Sequence, residues 1–354
     1  MNKLTKKITI GYVGLSHLGL VSSITSSEKS YNVIGYDKNL KLINKLKQGI
    51  IDLKEPNLLK LFNKNKRNIN FTNNPIILKQ CDIIYISEDI KTNKKNVSDY
   101  QKINNLINKV KKYISKKSIL VILSQITPGF TRKIKWPKEQ LFYQVETLIF
   151  GQAIKRSLKP ERIIVGKSNE DTKINFKYKN FLNKFKCPII SMNYESAELA
   201  KIAINLFLIS TIVTSNKVSE ISSYVGADYN KIKSALKLDK RIGKFAYLNP
   251  GLGIAGGNLE RDLINIIKIT KKFNIDKKLF ESWNANSSFM KKWAYRKLQQ
   301  IKKKNIVKKI SILGLTYKEN TNSIKNSPSI ELLSKINNHE VNFYDPVVKI
   351  DFNK

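Results

Sequence analysis

The chain has 354 residues, 41% of them hydrophobic, with 65 Lys and Arg against 27 Asp and Glu. This length and hydrophobic content predict a globular protein of two or three domains. The net charge of +38 would attract polyanions, but lysine, asparagine and isoleucine are frequent in every part of the chain. Because no run of like charge forms a tail, we expect no specific nucleic-acid partner.

Two cysteines, Cys81 and Cys187, are too few for a disulfide framework and lack metal-ligand spacing, so we expect no metal site. The N-terminus leads into a predicted strand without a signal peptide. The longest apolar run, at 206–213, lies beside Lys201 and Asn205 and is expected to be too short to span a bilayer. The sequence therefore predicts a cytoplasmic protein without a membrane partner.

The first predicted strand, KKITIGYV, is followed by GLSHLG at 14–19. In a dinucleotide-binding loop the first glycine makes the turn, the last allows close helix packing, and the helix N-terminus faces the pyrophosphate. A serine occupies the place of the middle glycine, and His17 is predicted to start the helix without a chemical role. The predicted cofactor contacts in this loop are Gly14, Ser16, His17, Leu18 and Gly19.

A second predicted strand, NVIGYD, ends at Asp37, roughly 20 residues further on, where a carboxylate can accept the ribose hydroxyls. This arrangement predicts NAD as the cofactor. Lys38 follows directly and is a cation that could tolerate the 2′-phosphate of NADP. The segments CDIIYIS and SILVILS are near-continuous apolar runs, which indicates parallel strands covered by helices on both faces. We therefore predict an α/β fold with a doubly wound parallel sheet.

A long helix is predicted over 195–225, apolar on most faces and ended by Gly226. Lys201 and Asn205 are four residues apart in it, hence on one face about one turn apart. Further on, PGLGIAGGNLERD at 250–262 carries four glycines and leads into the helical pattern LINIIKITKKF. Its backbone can approach a ligand closely, so we predict a ligand-binding loop that leads into a helix.

These segments together resemble the family of UDP-glucose and GDP-mannose dehydrogenases. The resemblance is carried, in chain order, by GLSHLG, GIIDLKEPNLL, SQITPGFTR, QVETLIFGQAIKRSLKPERIIVG, the helix with its lysine and asparagine, RIG at 241–243, AGGNLERD, and LGLTYKENTNSIKNSP. It implies an NAD-binding Rossmann domain over 1–192, a central helical dimerisation and active-site domain over 193–290, and a truncated nucleotide-sugar-binding domain over 291–354. The last is a partial Rossmann-like unit, which indicates either a fragment or a reduced nucleotide site.

The resemblance also implies roles for individual residues. Asn258 takes the position of the family's catalytic cysteine, Ser124 would contact the cofactor, and residues 87–90 replace a turn that lies near it. The implied catalytic residues are Glu146, Lys201, Asn205, Asn258 and Asp262. The implied substrate contacts are Thr147, Leu148, Ile149, Phe150, Gly151, Arg241, Tyr247, Gly251, Gly253, Gly256, Lys318 and Lys325.

Members of this family oxidise a sugar alcohol to a carboxylate with NAD, and the cysteine traps the aldehyde as a thiohemiacetal. An amide at position 258 is not a nucleophile at neutral pH, so that step would be absent or replaced. The resemblance therefore implies an NAD-dependent nucleotide-sugar oxidoreductase that forms a homodimer. Two alternatives stay open: a non-catalytic homologue with a binding or regulatory role, and a basic nucleic-acid-binding protein, for which we see no stacking patches of aromatic residues.

Overall fold

The computed structural model describes residues 7–93, 98–307, 309–336 and 340–349. The chain divides into two compact units, one made of Met1–Lys91 and Ser98–Lys201 and the other of Thr92–Val97 and Ile202–Lys354. The predicted domain boundaries after residues 192 and 290 stay a prediction.

The first unit is built on strands that are mostly buried, except β8, in which every residue is half-buried or exposed. Its strands are β1 (Thr9–Val13), β2 (Asn32–Tyr36), β3 (Ile69–Thr72), β4 (Ile83–Ile86), β5 (Ile119–Ile122), β6 (Leu141–Gln144), β7 (Ile163–Lys167) and β8 (Ile189–Asn193). Its helices are α1 (His17–Glu28), α2 (Leu40–Lys47), α3 (Leu58–Asn65), α4 (Gln101–Val110), α5 (Ala153–Leu158) and α6 (Phe176–Asn183).

These strands form one sheet in the order β3-β2-β1-β4-β5-β6-β7-β8. Each neighbouring pair is parallel except β6 with β7. All residues of β4 and β5 are buried, because apolar clusters cover both faces of the sheet. The predicted doubly wound α/β fold is confirmed, with one antiparallel pair that the sequence did not indicate. The loops after β1, β2, β4 and β5 lie at the carboxyl edge, where such sheets bind ligands.

The boundary between the units falls within α7 (Tyr194–Val225), which ends before Gly226 as predicted. The second unit continues with α8 (Tyr229–Leu238), α9 (Asn258–Lys272), α10 (Lys278–Lys291), α11 (Trp293–Lys302), β9 (Lys309–Leu313), α12 (Pro328–Leu333) and β10 (Glu340–Tyr344). A small apolar core joins Ile202 and Ile209 of α7 to Leu263 and Ile266 of α9. Strands β9 and β10 pair in parallel, which gives the expected strand, helix, strand unit.

Among the described residues, α7 is the one helix long and apolar enough to cross a membrane by length and composition. The apolar run at 206–213, predicted to be too short for a span, is part of this longer helix. Its most apolar window has a mean hydropathy of 1.6, and a third of that window is buried within the protein. Core helices of soluble proteins meet the same criterion, so this is weak evidence for a membrane span.

Candidate active site

The predicted dinucleotide loop needs glycine at both of its ends. Gly14 has φ of +90°, and a Cβ on it would lie 2.8 Å from Oε2 of Glu88. A Cβ on Gly19 would lie 1.8 Å from the carbonyl oxygen of Gly14. The first glycine therefore makes a turn that other residues rarely adopt, and the second lets α1 pack directly against that turn.

Ser16, which replaces the middle glycine, uses its hydroxyl to hold the turn after β4. The hydroxyl donates to the carbonyl of Ser87 at 3.2 Å and accepts from the amide of Asp89 at 3.0 Å. His17 starts α1, and its Nε2 lies 3.2 Å from Oε2 of Glu55. The side chain of Ser16 is thus bonded within the protein.

Asp37 has acceptor capacity left for a ribose. Its two carboxylate oxygens accept from the amides of Leu15 and Asn39, each at 2.9 Å. Because a carboxylate has about four acceptor positions, about two stay open for the hydroxyls of a ribose. Beside Asp37 and Lys38 lies a cavity of about 330 Å³ that also reaches Gly14. The glycine turn, the helix N-terminus and this open carboxylate fit the dinucleotide that the sequence predicts.

The second unit repeats this pattern of glycine and aspartate, but there the acceptor positions of the aspartate are filled. Gly314 donates its amide to the carbonyl of Tyr344, as Gly14 does to Tyr36, and Asp345 follows β10 as Asp37 follows β2. Asp345, however, accepts four amides at 2.8–3.2 Å, those of Leu315, Thr316, Val347 and Val348. Burial would raise the pKa of Asp345, but these four donors outweigh it and lower the pKa to about 2. With no acceptor position left, this carboxylate is structural.

Glu146 and Lys201 form a buried pair in the first unit. Nζ of Lys201 lies 3.7 Å from Oε2 of Glu146, and the two side chains are 10% and 13% exposed. The other oxygen of Glu146 accepts from the amide of Leu148. The structure thus pairs two of the implied catalytic residues, with the cation supplied by α7.

The main chain at 147–151, predicted to cradle the substrate, is partly engaged already. The amide of Gly151 donates to Oε2 of Glu55 at 3.0 Å, and that of Ala153 donates to Oε1 at 2.7 Å. The ring of Phe150 lies on that of His17, with centroids 4.0 Å apart. Carboxylates therefore occupy several of the donors that a sugar diphosphate could use.

Asn205 and Asp262 form the corresponding pair in the second unit. Nδ2 of Asn205 donates to Oδ2 of Asp262 at 2.5 Å, and the residues are 6% and 1% exposed. Asn205 faces α9 because it lies between Ile202 and Ile209 on the apolar face of α7. Arg261 contributes Nε at 3.5 Å from Oδ1 of the same carboxylate.

The glycine loop at 250–257 is shaped by packing within the second unit. A Cβ on Gly253 would meet the carbonyl oxygen of Ser287 at 2.6 Å, and one on Gly256 would meet the ring of Tyr317 at 2.9 Å. Gly251 donates to Oδ1 of Asn216 at 2.7 Å. The loop delivers Asn258 to the first position of α9, where its residue is exposed.

The other predicted substrate contacts differ in their surroundings. Lys325 donates to Oγ1 of Thr92, and burial followed by the nearby Arg261 lowers its pKa. The side chain of Arg241 is 89% exposed. It donates to the carboxylate of Asp239 from Nε at 3.0 Å and from Nη2 at 2.6 Å.

The backbone carbonyl of Tyr247 accepts from the hydroxyl of Ser215. Nζ of Lys318 lies 5.7 Å from the ring centroid of Tyr317. The hydroxyl of Ser124, a predicted cofactor contact, donates to the carbonyl of Ile86. Taken singly, none of these contacts identifies a ligand.

Sequence reasoning missed several buried carboxylates that organise these segments. Glu198 of α7 binds the loop after β5, and Glu88 binds Lys102 of α4. Glu260 of α9 contacts Lys291 and Asn326. Each partner lies at least 14 residues away in sequence, so no spacing rule links the pairs.

The chain matches the models of three consecutive domains of the UDP-glucose/GDP-mannose dehydrogenase family. These are the NAD binding domain over residues 7–184, the central domain over 195–287 and the UDP binding domain over 311–354. The UDP-glucose 6-dehydrogenase TuaD of Bacillus subtilis is 29% identical over 97% of this chain and 76% of its own length. The UDP-glucose 6-dehydrogenase of Rickettsia bellii is 28% identical over 93% and 78%.

Solved structures share the fold. A UDP-glucose dehydrogenase from Pyrobaculum islandicum superimposes with a TM-score of 0.87 at 22% identity, over 98% of this chain and 84% of that one. A UDP-D-ManNAc dehydrogenase from Pyrococcus horikoshii gives a TM-score of 0.85 at 23% identity, over 97% and 84%.

Proposed function

Because the chain belongs to the UDP-glucose/GDP-mannose dehydrogenase family, we propose that it oxidises the CH–OH group of a nucleotide sugar with NAD, without a thiohemiacetal step. NAD is the cofactor of this family, and when bound it accepts a hydride. The observation that carries the proposal is the burial of two polar pairs, Lys201 with Glu146 and Asn205 with Asp262. Burying charged and polar groups has a cost, and these four residues are among those to which the family resemblance assigns catalytic roles.

In the proposed reaction the chain's own groups manage charge and protons. The ammonium of Lys201 and the amide of Asn205, one turn apart on α7, donate to the oxygen that becomes an alkoxide. Asp262, fixed by Asn205, takes the proton through a water. A positioned base of this kind accelerates proton transfer by about 10²-fold to 10⁴-fold. Glu146, held by Lys201, assists the later proton steps.

Asn258 decides how far the oxidation goes. Its amide cannot attack the aldehyde, so no covalent intermediate forms at this position. The aldehyde is then either released or oxidised as its hydrate, with Asp262 holding the added water. We expect slow acid formation by the second route.

The yield of NADH per sugar tests this proposal. One equivalent indicates release of the aldehyde, and two indicate the hydrate route. Asn258→Cys should then add a second, rapid oxidation with a trappable thioester, whereas the control Asn258→Ala should not. If Asn258→Cys gains nothing on a substrate that the wild type takes to the aldehyde, the alignment of residue 258 with the family's cysteine is wrong.

A non-catalytic binding or regulatory role is the second candidate. It is favoured by the amides of Leu148 and Gly151, which already donate to Glu146 and Glu55, and by the absence of a thiol at residue 258. Calorimetry with a panel of nucleotide sugars separates the two: saturable binding without any NADH formation supports this role and contradicts the first.

We also propose a homodimer through α7. The side chains of Phe207, Ile221 and Tyr224 are apolar or aromatic, and their residues are 76%, 56% and 85% exposed. Covering them favours association of two copies. Light scattering at micromolar concentration should give a dimer for the wild type and a smaller mass for Phe207→Glu. A cytoplasmic location stays a prediction.

A further inference from the structure

A buried carboxylate lies against the predicted dinucleotide loop. Oε2 of Glu88 is 2.8 Å from the position of a Cβ on Gly14, and the residue is 7% exposed. The hydroxyl of Ser16 holds this segment in place through the carbonyl of Ser87 and the amide of Asp89. These bonds hold the backbone on both sides of Glu88 against the loop.

Lys102, the second residue of α4, supplies the counterion. Its Nζ contacts Oε1 of Glu88, and its side chain is 41% exposed while that of Glu88 is 9% exposed. Carboxylates and lysines line the same cavity in equal number. The carboxylates are Asp37, Glu88 and Asp99, and the lysines are Lys38, Lys102 and Lys109. The formal charge around the cavity is thus balanced only while Lys102 is present.

We propose that the pair of Glu88 and Lys102 determines whether this cavity accepts an anionic dinucleotide, with Lys102 as the specificity-determining residue. The inference rests on the proposed cofactor site. A pyrophosphate carries two negative charges, and a carboxylate fixed against its glycine loop repels it unless a cation is paired with that carboxylate. Since the side chain of Glu88 is only 9% exposed, solvent and salt screen its charge poorly. Lys102 acts by neutralising Glu88 and not by contacting the ligand itself.

Fluorescence titration with NADH separates this role from an ordinary ion pair. We expect Lys102→Met to bind NADH about ten-fold more weakly, the ratio that about 1.4 kcal/mol gives, because it leaves Glu88 without its counterion. Glu88→Gln should bind no more weakly than the wild type. The double variant should match the wild type, since neither contains an uncompensated charge at this pair. Lys102→Arg should keep wild-type affinity.

Lys112→Met is the matched control, because it removes an exposed lysine just after α4 that does not line the cavity. It should leave the affinity unchanged. Three results overturn the inference: wild-type affinity for Lys102→Met, a double variant as weak as Lys102→Met, or an equal loss for Lys112→Met. The second result would mean that Lys102 contacts the ligand directly. The third would mean that NADH binding depends on the net charge of the protein and not on this pair. Absence of saturable NADH binding by the wild type would remove the proposed cofactor site, and this inference with it.

Discussion

Replacing Glu198 by glutamine tests how burial and hydrogen bonding compete at one carboxylate. Glu198 is 0% exposed, and its oxygens accept from the amides of Gly129 at 2.5 Å and Thr131 at 2.9 Å. These bonds tie α7, three residues before Lys201, to the loop after β5. Burial raises the pKa of Glu198 above its ordinary 4.5, and its hydrogen bonds reduce that rise without cancelling it.

A raised pKa fixes the sign of the pH dependence. Below 4.5 the carboxyl group is neutral in both the folded and the unfolded chain, and its contribution to stability is complete. Above 4.5 the unfolded chain releases the proton first, so the wild type loses unfolding free energy until the pH passes the raised pKa. Each tenfold difference in proton affinity between the two states corresponds to about 1.4 kcal/mol.

Glutamine is a neutral side chain of the same shape. Its oxygen can accept only one of the two amides and its NH2 group leaves the other without an acceptor, so Glu198→Gln should be about 1–3 kcal/mol less stable than the wild type at pH 4. The unfolding free energy of Glu198→Gln should increase relative to that of the wild type as the pH rises to 8. Urea unfolding of the first unit at several pH values measures this difference, because both hydrogen-bond partners of Glu198 lie within that unit.

Glu195, one turn earlier on α7, is the control with the opposite sign. Arg132 donates to it at 2.5 and 2.8 Å and lowers its pKa. Glu195→Gln should lose stability relative to the wild type as the pH rises from 4 to 8, modestly because the pair is exposed. If the unfolding free energy of Glu198→Gln also falls relative to that of the wild type over that range, the amide hydrogen bonds outweigh burial and the pKa of Glu198 is not raised.

Three further predictions concern the second unit. Asn205→Ala should lower its unfolding free energy by about 1.5–3 kcal/mol in urea, since it removes a hydrogen bond to the buried carboxylate of Asp262, whereas Asn230→Ala on the exposed face of α8 should change it little. Gly256→Ala should cost about 1–3 kcal/mol through strain at φ of +81° and contact with Tyr317, while Gly251→Ala, with nothing within 4 Å, should be nearly neutral by the same measurement. Asp345→Asn should lower the thermal midpoint at pH 7 but not near pH 2, because the lowered pKa of Asp345 gives stability above pH 3.8 that is lost as the pH falls. Of the two variants Asp37→Asn and Asp345→Asn, only Asp37→Asn should change the affinity for NADH.

The sequence predicted what depends on local pattern. Apolar runs predicted β4 and β5, the 3.6-residue period predicted α7 and α9, and glycine with a later aspartate predicted the turn between β1 and α1. It did not predict the antiparallel pairing of β6 with β7, because these strands are short and pairing direction depends on the path of the chain between them. Buried ion pairs such as Glu88 with Lys102 were also missed, since the fold alone brings them together.

The contrast between Asp37 and Asp345 shows why a motif underdetermines a site. Both follow a tyrosine at the end of a parallel strand, and both accept the amide of the leucine after a left-handed glycine, at 2.9 and 2.8 Å. The two carboxylates differ in the number of acceptor positions already filled, which is two for Asp37, the predicted ribose site, and four for Asp345. Residues 346–348 fold back over Asp345, whereas the chain after Asp37 enters α2. The two additional donors to Asp345 are the amide of Thr316, in the loop after the glycine, and the amide of Val348. Ligand capacity at such a carboxylate therefore depends on the backbone conformation of both the glycine loop and the residues that follow the aspartate.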